Sequence, residues 1–404
     1  MNPDQLILQE WRTEYGVPLS PTQRDLLIES PVVIRPSKGS DDHYDLTPGS
    51  EIGTIELPGL SVRVMPKLEI ERVMFLISYA LEGLEVGYKT SDYESHADIV
   101  EAVVAAFTEV VKRATRPSLL QGYRSEDNAL MTVRGRIVFE RQIRRFGISP
   151  PVEVRYDEFT VDIDENRVIK AALARLSRMR LRSDRSKRKL RFANAALQQV
   201  SLIEYGKRIP QIRFNRLNER YRPAILLAEL ILRSTSFDLA TGRVSAPSFL
   251  IDMNRVFEDF VVHALRDELR LSESQFPQGM KGRRLSLDSA GRIKLKPDVS
   301  GWKGNRCLFV GDVKYKKTVD MRVPNADLYQ LHAYTTATGV DRGVLVYAAG
   351  EDEPGVHVVR DTGTRLEIVA LDLAGNPDEL RAMITQLAHR IRQHAFDALL
   401  RGAA

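Results

Sequence analysis

Cysteine is almost missing from this chain. Among 404 residues there is one, Cys307, set in an apolar stretch. That excludes a disulfide framework and a cysteine-built metal site, and it suits a reducing, cytoplasmic setting. Histidine is scarce too: the seven copies are scattered, with no H-E-x-x-H spacing, so a zinc centre is not expected. No G-x-x-x-x-G-K-[ST] occurs, which excludes a P-loop nucleotide site in this chain. No apolar run approaches the ~18–20 residues of a membrane helix, and MNPDQLILQEWRTEYG lacks the basic-then-apolar order of a signal peptide. A soluble, cytoplasmic protein without a membrane partner is the expectation. Internal repeats and long low-complexity segments are also lacking. What the chain has in excess is positive charge, with 59 Lys and Arg against 54 Asp and Glu, net +5 and a pI near 9.1. Such a balance suits an anionic partner without requiring one. The length allows two or three domains.

Ionisable residues interrupt one apolar stretch, KLKPDVSGWKGNRCLFVGDVKYKK, from Lys294 to Lys317. RIKLKPD reads as a strand, SGWKGN as a turn and RCLFVGDVKYK as a second strand. Side chains alternate along a strand, so Asp312 and Lys314 share a face with Val310 and Leu308, while Phe309, Val313 and Tyr315 point the other way. A strand apolar on both faces belongs in the middle of a covered sheet. A hairpin would bring Asp298 beside Asp312. Two such carboxylates repel, and one pKa rises unless a cation lies between them. Mg²⁺, a hard cation that keeps several waters, suits that arrangement. A surface hairpin with an ordinary Asp–Lys pair would leave the same local pattern.

The flanks sharpen this reading. NRVFEDFVVHALRDEL predicts an amphipathic helix over about 253–270. Glu258 lines up with Val262, Leu265 and Leu269 on the apolar stripe, whereas Asp259 lines up with His263, Arg266 and Arg270 on the wet face. An acid on a buried stripe needs a metal or a donor as partner. Downstream, NADLYQLHAYTTATG predicts a helix that places Gln330 and Tyr334 at i, i+4, and GVLVYAA a buried strand. The expected order is helix, strand (RRLSLD), strand, strand, helix, strand.

Glu258, the Pro297-Asp298 pair, Asp312-Val313-Lys314 and the Gln330–Tyr334 pair resemble the motif order of PD-(D/E)xK nucleases of the RecB-like branch. SVRVMPKL (61–68), RGRI (134–137), DEFTVDIDENRVIKAAL (157–173) and RLNERYRPAILLAELIL (216–232) are similar to the McrC family, the nuclease subunits of McrBC systems that cut methylcytosine-containing DNA. The resemblance implies an α/β (α+β) chain, with a mixed central sheet flanked by helices in the nuclease part. It also implies Mg²⁺, with Mn²⁺ as the alternative, held by Asp298, Asp312, the Val313 carbonyl and Glu258. Lys314 would orient or deprotonate water or stabilise the transition state, with Gln330 and Tyr334 as orienting groups. It further implies docking on a hexameric, McrB-like AAA+ GTPase that binds the GTP, and a double-stranded DNA substrate carrying modified cytosine. Two other readings remain: a self-sufficient repair or processing nuclease, and a catalytically silent assembly or DNA-binding module.

The expected organisation is a β-rich N-terminal region for partner docking (1–120), a mainly helical middle region (121–246) and the nuclease (247–404), starting at PSFLID. PSKGSDDHYDLTPGS reads as turn-rich, with helices following from about 70 and about 95. A terminal helix, PDELRAMITQLAHRIRQHAFDALL, follows two late strands. Two other acidic groups, Glu69 with Glu71 and Asp162 with Asp164 and Glu165, are expected to be surface or intra-domain pairs. The run ARLSRMRLRSDRSKRKLR (174–191) carries nine Lys or Arg against Asp184. It is either a solvated helix end and loop or a contact for phosphates or an acidic partner surface. Without interleaved aromatics, base stacking is not expected from it.

Overall fold

The computed structural model describes residues 4–39, 42–81, 98–144, 150–203, 208–234, 247–280, 283–315, 324–348 and 355–401. Their contacts divide them into two units. The described residues of Met1–Ile99 and Leu250–Ala404 form the first, and those of Val100–Phe237 with Pro247–Phe249 form the second. The first and last thirds of the chain therefore belong to one unit, and the first division by contacts falls at 99/100 rather than at 120.

The N-terminal stretch supplies β1 (Asp4–Gln9), β2 (Glu14–Pro18), helix α1 (Pro21–Ile28), β3 (Val32–Pro36), β4 (His43–Pro48), β5 (Glu51–Leu57), β6 (Leu60–Met65) and helix α2 (Ile70–Ala80). Ser20 and Gln23 close a capping box at the start of α1, where Pro21 needs no amide hydrogen. Strands β2, β4 and β3 form an antiparallel sheet; β1, β6 and β5 belong to a mixed one, in which β1 runs parallel and β5 antiparallel to β6. Leu8, Leu26, Leu27, Leu46, Ile55 and Val62 fill the core between them. The turn-rich reading of 36–50 needs correction, because HYDLTP is strand β4. Tyr44 and Leu46 are buried and alternate with less buried His43, Asp45 and Thr47, the period of a half-covered strand.

The second unit contains α3 (Ile99–Thr115), β7 (Gly122–Leu130), β8 (Arg136–Ile137), α4 (Phe139–Ile143), β9 (Val152–Thr160), α5 (Asp164–Leu176), α6 (Asp184–Ala196) and α7 (Arg222–Ser234). The mainly helical expectation missed the antiparallel ribbon β7-β9-β8. Its nine paired residues hold charged partners, such as Arg155 on Asp127 at 2.6 Å, rather than an apolar alternation that could be read. Gly135 of the RGRI segment has φ +75°, and a Cβ there would meet the Arg155 carbonyl oxygen at 2.4 Å, so only glycine fits this close approach.

The chain then makes β10 (Ser248–Asp252), α8 (Met253–Leu269), β11 (Leu285–Ser286), β12 (Lys294–Leu295), β13 (Val299–Lys303), β14 (Arg306–Lys314), α9 (Asn325–Thr338), β15 (Arg342–Ala348), β16 (Gly355–Val358), β17 (Arg365–Leu371) and α10 (Pro377–Arg401). Strand order in the main sheet is β13-β14-β15-β17-β16. Strands β14, β15 and β17 run parallel, with an antiparallel strand at each edge. Helix α9 is the crossover between β14 and β15, and its Leu331 packs on Leu345, Tyr347, Leu366 and Ile368. A Cβ on Gly343 would lie 2.8 Å from Leu331 and Thr335, so this glycine lets helix and strand approach. Phe309 stacks on Phe276 and Tyr315 meets Phe257, so the other side of β14 is covered from α8 and the segment after it. Helix α2 docks on α8, where Phe75 and Tyr79 meet Phe260 with centroids 6.2 and 5.5 Å away. The fold is mixed α/β.

Three local expectations change. RIKLKPD is not one strand. Only Lys294–Leu295 pairs, with β11, because Pro297 lacks a donor and interrupts the ladder. The turn is not SGWKGN either. Strand β13 runs on to Lys303, with a register shift at Gly301/Trp302, and only Gly304 and Asn305 turn. Gly304 takes φ +59°, as the first position of a tight two-residue hairpin loop demands. RRLSLD keeps only Leu285–Ser286 as strand.

Candidate active site

Strand β14 brings Asp312, Val313 and Lys314 to the C-terminal end of a central strand. Val299 pairs with Gly311, so Asp298, one residue before β13, comes level with Asp312. Its Oδ2 accepts the Val313 N–H at 2.9 Å. The N–H and C=O of one strand residue face the same edge. The Val313 carbonyl therefore also faces the edge where β13 has ended. Asp312 is 1 % exposed, and its Oδ2 lies 2.5 Å from Lys314 Nζ. This is an ion contact without hydrogen-bond geometry, so the buried oxygen has no satisfied donor.

The electrostatics follow from this crowding. Burial, then the charges of Asp312 and Glu258, push the Asp298 carboxyl up to about 8. Burial, then Asp259 and Asp312, push Glu258 up to about 7. Lys314 is pulled down by burial, but Asp312 more than offsets this and holds the ammonium above its ordinary value. Asp312 thus helps to raise both Asp298 and Glu258, with the Lys314 ammonium as the cation among them.

On α9, Gln330 Nε2 donates to Tyr334 Oη at 2.7 Å, and Tyr334 donates to the Lys296 carbonyl at 3.1 Å. Tyr334 thereby fixes the segment that leads into Asp298. Burial, then the field of Asp312, pushes its phenol well above the ordinary range. Gln330 reaches the site through Tyr334.

The phase of α8 is partly as expected. Val262, Leu265 and Leu269 are buried. Glu258 is half-buried rather than buried, and Asp259 is half-buried rather than wet. The Gln278 amide bonds Asp259, and the Arg255 guanidinium stands 3.9 Å from it. The turn after α8, Gln278–Met280, covers this flank, a contact nineteen residues away that helical periodicity cannot reveal.

Sequence reasoning missed two supporting groups. Asp327, 5 % exposed, accepts the Tyr347 hydroxyl at 2.7 Å and contributes to raising Lys314. Its signal was available: 327, 330, 331 and 334 form one stripe of α9, so an acid again sits on a buried row. The second group gathers on Tyr315, next to Lys314. Its ring packs against Phe257, next to Glu258, at 5.9 Å. Its hydroxyl stands 3.4 Å from Glu10 Oε2, which also accepts the Lys67 N–H at 3.0 Å. Lys67 Nζ lies 3.9 Å above the same ring. Nothing local links Glu10 to a residue 305 positions later.

Among the described residues, no three acidic, histidine or cysteine side chains close on one point. The donor set is the Asp298–Asp312 pair, the Val313 carbonyl and Glu258 behind them. Hard oxygens with room for water fit Mg²⁺ or Mn²⁺, which commonly take one or two carboxylates and fill the shell with water and substrate oxygen. In the second unit, two other acids are engaged in holding local structure. Asp162 is held well below the carboxylate range by Arg167, with Ser201 adding to this, and Glu165 accepts from Asn218 at 3.0 Å.

No curated protein matches the chain by sequence. Its fold is similar to a refined half-complex from the tetradecameric assembly of Thermococcus gammatolerans McrB AAA+ hexamers with bound McrC. There the TM-score is 0.58 at 17 % identity, over 96 % of this chain and 100 % of that one. A cryo-EM structure of the Thermococcus gammatolerans McrBC complex matches less closely, with TM-score 0.43, 18 % identity, and 66 % and 88 % of the two chains covered. The family model for McrBC 5-methylcytosine restriction system components matches residues 46–348, three quarters of the chain, from β4 through the proposed catalytic strand to the end of β15. The chain belongs to the McrBC 5-methylcytosine restriction system component family.

Proposed function

We propose that this chain is the DNA endonuclease subunit of a GTP-dependent restriction complex that acts on methylcytosine-containing DNA. One observation carries the reading: Asp298, Asp312 and Lys314 converge at the end of a central strand, with Glu258 beside them, in a chain of this family. The cofactor is Mg²⁺, with Mn²⁺ as a substitute; bound between Asp298 and Asp312, it would lower the pKa of water and neutralise charge on the phosphate.

The chain's own residues supply the rest. Water attacks phosphorus in line with the departing oxygen, one P–O bond forming as the other breaks. Asp298 is held in place by the Val313 N–H, and Asp312 by burial. Lys314 enters as an ammonium, because Asp312 keeps its proton on. Its first task is to hold a non-bridging phosphate oxygen as negative charge develops. Glu258 binds and aligns water at the open side. Tyr334, set by Gln330, keeps the Lys296–Asp298 segment from moving away.

The partner is a hexameric, McrB-like AAA+ GTPase, which supplies the nucleotide site that this chain lacks. A structurally similar complex is described as McrB AAA+ hexamers with bound McrC. The test is cleavage of methylated and unmethylated DNA by the chain alone, the ring alone and both, with and without GTP. Cutting should require both proteins, GTP and methylation. Efficient cutting by the isolated chain without nucleotide would overturn the partner-dependent reading in favour of a self-sufficient nuclease.

A further inference from the structure

The basic run has no role in the proposed active site, and the structure gives it a place. It covers the end of α5, a short connection and the first half of α6. Between α6 and the C-terminal half of α3 lies an open groove of about 880 Å³. Small side chains, Thr108 and Thr115 on one wall and Ala193 and Ala196 on the other, line the groove and leave its space unfilled.

Its rims are cationic. Lys112 stands on α3 and Arg116 directly after its last residue, with Arg188 and Lys189 on α6. Among the described residues none of the four is ion-paired. The neighbouring acids are engaged elsewhere: Glu109 with Arg113 at 3.4 Å and Asp184 with Lys187 at 3.1 Å. Phe192, one turn beyond Arg188, lies in the same groove and is 72 % exposed. The run itself contains no aromatic, but this residue immediately follows it.

We propose that the groove between α3 and α6 is a second DNA-binding site that takes the phosphate backbone of one strand. The proposal rests on the reading that the chain acts on DNA. Four unpaired cations in two facing rows suit a linear polyanion. Each neutralised phosphate releases condensed counterion, so binding here is salt-dependent. An exposed phenyl ring between guanidinium and alkyl groups offers a sugar or an unstacked base an apolar face.

The test uses the full-length chain carrying Asp312→Asn, so that DNA is not cut. Anisotropy of labelled duplex and of the same single strand is measured across a salt series, without the ring and without nucleotide. Arg188→Ala with Lys189→Ala, and separately Lys112→Ala with Arg116→Ala, should each weaken binding about tenfold and flatten the log K against log[salt] slope by about 1–2. A charge-matched control, Arg178→Ala with Arg191→Ala, removes exposed cations outside the groove and should leave both unchanged. Phe192→Ala should weaken the single strand more than the duplex. Unchanged affinity and slope in both groove variants would overturn the proposal. So would unchanged DNA binding combined with loss of ring co-elution, since the groove would then take an acidic protein surface. Because binding is read without cleavage or the ring, the outcome is separate from that of the restriction-complex reading.

Discussion

The crowding of Asp298 against Asp312 should make the metal-free protein less stable than a variant that has lost one of the charges. The Asp298 carboxyl moves from 3.8 to about 8, a rise of about four units. At ~1.4 kcal/mol per unit the full shift is worth about 5–6 kcal/mol. The sign is that of an acid with a raised folded pKa. Between about pH 4 and about pH 8 the folded state holds the proton more tightly than the unfolded state, so stability falls as pH rises. Asp298→Asn removes this loss. It also replaces a charge-assisted bond to the Val313 N–H with a neutral one, at a cost of about 1 kcal/mol. The variant should therefore exceed the parent by about 4–5 kcal/mol at pH 9 in EDTA, and by much less at pH 5. Urea unfolding followed by tryptophan fluorescence suits the test, because Trp11 and Trp302 both lie in the first unit. Saturating Mg²⁺ should stabilise only the parent, by about 2.7 kcal/mol at a hundredfold excess over Kd, and narrow the gap. A gap that does not widen with pH, or a variant less stable than the parent at pH 9, would refute the reasoning.

Other outcomes follow from the same geometry. Asp312→Ala and Lys314→Ala should each lower cleavage by the reconstituted complex by at least about a thousandfold, with ring GTPase stimulation intact; a loss below tenfold in either would remove that residue from the chemistry. Mg²⁺ affinity measured by calorimetry should fall as pH drops below about 8, where Asp298 takes a proton, and more steeply below about 7, where Glu258 does; Glu258→Gln should remove only the second, steeper part. Asp259→Asn removes the largest charge that raises Glu258, so it should displace the same pH dependence to lower pH, an effect a solvated Asp259 could not have. Tyr315→Phe, which frees Glu10, should slow cleavage severalfold without weakening DNA binding or ring docking; unchanged cleavage would limit the Glu10 contact to packing.

What could be read from the sequence divides along the range of the forces involved. Strand β14 was legible because its alternation is local: Val310 and Asp312 on one face, Phe309 and Tyr315 on the other, apolar on both. The i, i+4 spacing of Gln330 and Tyr334 was legible for the same reason. The hairpin turn was not, because SGWKGN offers two glycines and composition cannot say which one leaves the ladder. Gly301 stays in it at the register shift, with Phe309 across from it, and Gly304 turns. The ribbon β7-β9 escaped because its stability lies in cross-strand charge pairs that appear only once Asp127 meets Arg155.

The organisation of the chain failed on longer range still. Residues 1–120 read as a separate docking region because they contain no chemistry of their own. Yet Phe75 and Tyr79 pack on Phe260, and Glu10 and Lys67 hold the residue that follows Lys314. A cut at 247 would leave Phe260 and Tyr315 facing water and would remove the strands that stand beside β10. Tyr315 also touches both elements of the proposed site, through its peptide bond to Lys314 and its ring on Phe257 beside Glu258. Any shift of β1 or of the segment after β6 must therefore be felt at the strand and at the helix together. That gives a chain without a nucleotide site a physical route by which docking at its N-terminal strands could set the geometry of its acids. It also explains why the buried Glu10 is tolerated: burial raises its pKa, while the Lys67 N–H, the Lys67 charge and the Tyr315 hydroxyl give its carboxylate the partners it needs.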